Sequence, residues 1–82
     1  MITLEEAKCR YNTHTRSVAT KWFKDSLKEY KKWEVIDGTP CLIAGRYGAV
    51  LAFAKNKDGH PYASQMTLGR KYYIDRGLDV PA

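Results

Sequence analysis

The stretch TLEEAKCRYNTHTRSVATKWFK, from Thr3 to Lys24, decides the fold. Apolar residues recur at helical spacing in both of its halves, and a polar segment, NTHT, separates the halves. The spaced residues are Leu4, Ala7 and Tyr11 before the polar segment, and Val18 and Trp22 after it. The stretch therefore predicts two helices joined by a short turn, which is a helix-turn-helix arrangement.

Local signals place the ends of these helices. Thr3 followed three residues later by Glu6 is a capping-box pattern, so the first helix is predicted to begin at Thr3. Acidic residues in its first turn suit the positive end of the helix dipole. The second helix is predicted from about Thr15 to Lys28, with Trp22 on its apolar face and in the core.

The periodicity changes at Trp33. The sequences WEVI and TPCLI flank Asp37-Gly38, and this pattern predicts a two-stranded hairpin because Asp-Gly supplies the positive φ that a tight turn needs. Pro40 has no N–H to donate and is expected at a strand edge, while Gly45 ends the second strand.

The rest of the chain is less clearly patterned. Residues 46–55 have apolar residues at helical spacing and predict a short closing helix, although a strand over AVLAF competes because so short a run fits both periods. Residues 56–61 form a loop by composition. Residues 62–82 could form a short helix or hairpin, or become ordered on a partner. The chain thus divides into an α+β domain, 1–55, and a C-terminal extension, 56–82.

Charge is unevenly distributed in this chain of 82 residues and net charge +5. Between Lys8 and Lys32 there are eight basic and two acidic residues, whereas the other segments together hold six basic and seven acidic ones. A basic helical region suits a polyanion, most commonly nucleic acid. The alternative is an ordinary solvated, lysine-rich helix surface.

Composition also bears on other classes of function. Cys9 and Cys41 lack the spacing of a disulfide framework or a metal site, and no apolar run is long enough to cross a membrane. The sequence therefore predicts a reduced, cytoplasmic protein. His14 and His60 are isolated in polar turns, so we expect no metal, no cofactor and no enzymatic activity.

Two helices, a short hairpin and a closing helix make up a winged helix-turn-helix. The chain resembles the small excisionases, or recombination directionality factors, of phages and conjugative transposons, which have MerR-like relatives. The resemblance lies in TLEEAKCRY, RSVATKWFKD and WEVIDGTPCLI and covers about two thirds of the chain. The sequence departs from the group at Thr39, where wing tips often carry a cation, and at Ala19 and Thr20, where two arginines are common.

The resemblance implies that the second helix enters the major groove of DNA while the hairpin wing reaches the adjacent minor groove. Several copies would bend attachment-site DNA and assist an integrase in DNA excision and recombination. The residues expected to contact DNA are Arg16, Ser17, Thr20, Lys21, Lys24, Lys28, Gly38, Thr39 and Arg46. Independently of the family, Lys21, Lys24 and Lys28 are spaced to follow a phosphate backbone, and Arg16 suits bidentate contact with guanine.

Partners other than DNA are also predicted. An integrase is expected to contact the tail through Arg70, Tyr72 and Tyr73, because Tyr and Arg are enriched at protein interfaces. Neighbouring copies of the protein would lie beside one another on DNA. Two alternatives stay open: a MerR-like or AlpA-like transcription regulator, and a small phage effector that binds a host protein.

Overall fold

Three helices and four strands make up the part of the chain, residues 2–13 and 20–79, that the computed structural model describes. The helices are α1 (Leu4–Thr13), α2 (Lys21–Ser26) and α3 (Lys71–Asp75). The strands are β1 (Lys31–Ile36), β2 (Thr39–Ala44), β3 (Ala49–Lys55) and β4 (Pro61–Thr67). The strands form one antiparallel sheet in the order β1-β2-β3-β4. The predicted α+β class is confirmed.

The capping box at the start of α1 is confirmed. The backbone N–H of Glu6 donates to Thr3 Oγ1 at 3.1 Å, and the N–H of Thr3 donates to Glu6 Oε1 at 3.2 Å. Lys55 Nζ lies 3.3 Å from Glu6 Oε2, which links α1 to the end of β3. The Thr3 N–H and the Lys55 ammonium lower the pKa of the Glu6 carboxyl.

The predicted hairpin is also confirmed. Asp37 has φ 50° and Gly38 has φ 80°, as a type I′ turn requires, and Ile36 pairs with Thr39 across it. The expectation of an edge position for Pro40 is wrong, since β2 is an inner strand. Pairing of β2 with β3 begins one residue later, at Cys41, so Pro40 removes no ladder hydrogen bond to β3.

The predicted closing helix is wrong, because residues 49–55 form strand β3. Alternate residues of β3 face opposite sides of the sheet, and both sides are covered at this position, so the strand has an almost continuous apolar sequence. That composition concealed the period of two. The competing strand interpretation of AVLAF is the correct one.

The C-terminal residues extend the same sheet. β4 pairs with β3 along its full length, from Ala49 opposite Thr67 to Lys55 opposite Pro61. We call the side of the sheet that packs against α1 and α2 the front face, and the side under α3 the back face. The front face buries Leu42, Ala44, Ala49, Leu51 and Phe53 with Ala7 and Phe23. The back face buries Cys41, Ile43 and Val50 with Tyr72 and Tyr73.

Candidate nucleic-acid interface

Thr20 defines the start of α2. Its backbone is extended (φ −73°, ψ 163°), and its Oγ1 accepts a hydrogen bond from the N–H of Phe23 at 3.2 Å. The same hydroxyl donates to Gln65 Oε1 on β4 at 3.1 Å. Thr20 therefore caps α2 and joins it to the sheet, so a contact between this hydroxyl and a base requires the Gln65 bond to break.

The inward side of α2 is displaced by one residue from the prediction. Phe23 is fully buried and Ser26 is buried, whereas Trp22 is 49% exposed. Because the helix begins after Thr20, Phe23 and Ser26, at i and i+3, form its buried stripe. The prediction that Trp22 is a core residue is wrong. Trp33 does pack against the front-face core, with its ring 5.6 Å from that of Phe53.

The end of α2 rests on the turn between β2 and β3. Gly45 has φ +71°, and a Cβ placed on it would lie 3.0 Å from Ser26 Cβ. The hydroxyl of Tyr73, from the back face, donates to the Gly45 carbonyl. The close approach of Gly45 and Ser26 sets the position of α2 against the sheet.

Arg46 is brought to α2 by an ion pair. Its Nε lies 3.2 Å from Glu29 Oε2, just beyond the end of the helix. The guanidinium carbon also lies 6.0 Å from the centre of the exposed Tyr47 ring. Trp22 and Tyr47 line the same shallow cleft of about 50 Å³. Two exposed aromatic side chains thus flank this cation.

Lys21 and Lys24 lie on α2, and Lys28 lies two residues beyond its end. Lys21 and Lys28 are exposed and Lys24 is half-buried. The ammonium of Lys28 is 4.0 Å from the Asp25 carboxylate, a solvent-exposed contact that leaves its charge largely available. We call Lys21, Lys24, Lys28 and Arg46 the α2 basic surface.

The structure separates the remaining predicted residues from this surface. Gly38 and Thr39 lie at the other end of β2 and line a cavity of about 420 Å³. At about 3.3 Å per residue, the seven steps from Gly38 to Gly45 span roughly 23 Å. Lys57 lines the same cavity because the antiparallel pairing of β2 with β3 brings the end of β3 back to the start of β2, which no local sequence pattern indicates. Arg16 and Ser17 lie outside the described residues.

The predicted integrase contacts divide into two kinds. Arg70 is exposed, but Tyr72 and Tyr73 are only 3% and 0% exposed, so the prediction of a surface role for the two tyrosines is wrong. Their rings pack edge to face at 5.1 Å between ring centres and cover the back face of the sheet. Both tyrosines belong to the five-residue helix α3, and they are buried because α3 is the only described element that covers the back face.

Within residues 2–13 and 20–79, no three His, Cys, Asp or Glu side chains converge as metal ligands. None of the helices in these ranges has the length and apolar character needed to cross a membrane. Comparison of the chain with protein-family models, with curated proteins and with solved structures gave no significant match.

Proposed function

We propose that this protein binds double-stranded DNA through the α2 basic surface, in the manner of a winged helix-turn-helix. The observation that carries the proposal is a set of cations at α2: exposed Lys21 and half-buried Lys24 on the helix, exposed Lys28 just beyond its end, and Arg46 held there by Glu29. Closely spaced cations on one helix neutralise successive phosphates, and this supplies most of the affinity for a duplex.

The hairpin tip provides the second contact in this proposal. Its distance from Gly45, roughly 23 Å, is of the same order as half a helical turn of DNA, roughly 17 Å, which separates a major groove from the next minor groove. Asp37 and Thr39 bring no cation to the tip, but Lys57 lies beside Gly38 and supplies one. The tip contact is therefore electrostatic and weaker than that of α2.

The biological role we propose is that of an excisionase: an architectural protein of a phage or conjugative transposon that bends attachment-site DNA and assists an integrase. Exposed Arg70 is the part of the tail that remains available for such a partner. A transcription regulator of the MerR or AlpA type would use the same surface. DNA bending and ordered multimeric complexes distinguish the excisionase from a regulator that binds as a single unit.

Fluorescence anisotropy with a labelled duplex, measured over a range of salt concentrations, tests DNA binding. About five phosphate contacts predict that log K falls with log[salt] with a slope of roughly −4 to −5. Circularly permuted fragments in gel-shift assays then test bending. A slope near zero would contradict DNA binding. Tight binding without bending would contradict the excisionase role and favour the regulator.

A further inference from the structure

Strand β4 forms one edge of the sheet, and its ladder shows which of its backbone groups point away from β3. The N–H of Leu68 donates to Gly48 O at 2.8 Å, and the N–H of Asn56 donates to His60 O at 2.9 Å. Hydrogen-bonded pairs alternate along an antiparallel ladder, so these two bonds set the pattern for the whole strand. The backbone groups of Tyr62, Ser64 and Met66 point towards β3. Those of Ala63, Gln65 and Thr67 point outwards from the sheet.

The two edges of the sheet differ in their side chains. β1, the other edge strand, carries Lys31, Lys32 and Glu34. The seven residues of β4, PYASQMT, include no charge, and six of them are exposed. Its proline, the first residue of the strand, lacks only its own N–H, so the outward backbone groups of Ala63, Gln65 and Thr67 remain in place. Edge strands that stay unpaired are usually protected by charges, bulges or internal prolines. β4 carries neither a charge nor an internal proline.

We propose that two copies of this chain pair antiparallel through β4, around a two-fold axis that passes between their Ser64 residues. In this register, Ala63 of one copy and Gln65 of the other exchange both backbone hydrogen bonds. The N–H of Thr67 donates to the carbonyl of Pro61, the one outward backbone group that proline retains. Every outward N–H of β4 is then satisfied by the same strand of the second copy.

The side chains of β4 support a second copy as the occupant. Tyr62 and Met66, on the back face, are 46% and 47% exposed. The two-fold axis brings Tyr62 of one copy opposite Met66 of the other, which gives two aromatic–thioether contacts on one side of the interface. Because the strand is uncharged, its own side chains bring no like charges together across the axis, although each chain carries a net charge of +5. The edge of β4 is therefore complementary to the same edge of a second copy.

The dimer would contain a continuous eight-stranded sheet. A two-fold axis perpendicular to the sheet keeps both front faces on one side, and Gln65 binds Thr20, so both copies of α2 would lie near the axis. The pairing does not depend on DNA binding, and its test can succeed or fail separately from that of the proposed function.

A cysteine on the two-fold axis tests the register. Ser64 lies opposite its own copy at a non-hydrogen-bonded position, where Cα atoms are about 4.5 Å apart, within the range for a disulfide. We expect Ser64→Cys, in a Cys9→Ser background, to form a disulfide-linked dimer under mild oxidation with copper phenanthroline. Asp58→Cys in the same background, on the exposed β3–β4 turn, is the matched control and should form little disulfide-linked dimer.

Light scattering of the unmodified protein after size exclusion supplies the second measurement. The account predicts a species of twice 9.4 kDa that dissociates on dilution, and a shift to the monomer in Ser64→Lys, which places two like charges on the axis. Asp58→Lys should leave the dimer unchanged. A 9.4 kDa species at all concentrations, or a dimer in which Ser64→Cys links no faster than Asp58→Cys, would overturn the proposal.

Discussion

The hydroxyl of Tyr72 on α3 donates a hydrogen bond to the carboxylate of Glu34 on β1, and so ties the last helix to the first strand of the sheet. Arg76 binds the other carboxylate oxygen at 3.1 Å, and its guanidinium lies 4.1 Å from the centre of the Tyr72 ring. Burial raises the pKa of the Tyr72 hydroxyl, which therefore remains a donor at neutral pH. These contacts fix α3 over the back face.

This arrangement predicts that stability depends on pH. The hydrogen bond from Tyr72, followed by the Arg76 guanidinium, lowers the pKa of Glu34 below its usual value of 4.5. The contribution of Glu34 is therefore complete above the unfolded pKa and is lost as the pH falls through the folded pKa. Tyr72→Phe should lower the free energy of unfolding at pH 7 by about 1–3 kcal/mol. Urea titrations followed by circular dichroism should show this difference shrinking below pH 4; an equal difference at pH 3 would contradict the assignment.

A substitution at Gly45 tests the packing of α2 on the β2–β3 turn. Gly45→Ala combines a positive φ with a Cβ placed 3.0 Å from Ser26 Cβ, and should destabilise the protein by about 2–3 kcal/mol. Gly59→Ala is the matched control, because its φ is +81° but no atom lies within 4 Å of the new Cβ. Thermal melts of the two variants separate steric contact from backbone strain. Equal losses of stability would show that α2 does not press on Gly45.

The different environments of the two tryptophans predict a fluorescence result. Trp33→Phe leaves Trp22, whose emission should be red-shifted and readily quenched by acrylamide because the ring is half exposed. Trp22→Phe leaves Trp33, which packs against Phe53 and Tyr11 and should emit at shorter wavelength. Duplex DNA should change the emission of Trp22 more than that of Trp33. The reverse order would place the DNA away from α2.

The two thiols should differ in reactivity. Cys9 is exposed on α1, whereas Cys41 is buried in β2, and burial raises the pKa of its thiol. Ellman's reagent should therefore modify one thiol rapidly in the native protein and both in denaturant, since the thiolate is the reactive species. Cys9→Ser should remove the fast phase. A fast phase that survives in that variant would indicate that β2 opens easily.

Features set by neighbouring residues could be predicted from the sequence. The Thr3–Glu6 capping box and the Asp37-Gly38 turn depend on side chains or dihedral angles within four residues, and the structure confirms both. Helical spacing of apolar residues favours a helix over residues 46–55, with a strand over AVLAF as the alternative, and the presence of α3 behind the sheet accounts for the apolar composition of the strand that forms.

The candidate site likewise combines features that the local sequence predicts with features that depend on the whole fold. Lys21 and Lys28 are exposed, as expected of lysines beside a short helix with one buried side, whereas Lys24 is half-buried. The exposure of Trp22 depends on where the helix begins, and an extended Thr20 shifts the buried position to Phe23. The proximity of Arg46 to α2 and of Lys57 to Gly38 results from strand pairing over long sequence distances, which no local pattern contains.

Charge reversal on α2 tests the central claim most directly. Lys21→Glu together with Lys24→Glu should weaken duplex binding by at least tenfold and reduce the magnitude of the salt slope by about 2, since each lysine accounts for about one phosphate contact. The matched control, Lys32→Glu with Lys71→Glu, makes the same change in net charge at exposed positions of β1 and α3. The account predicts a large loss in the α2 variant and a small one in the control, with unchanged circular dichroism. Equal losses in the two variants would show that net charge, and not the α2 basic surface, determines binding.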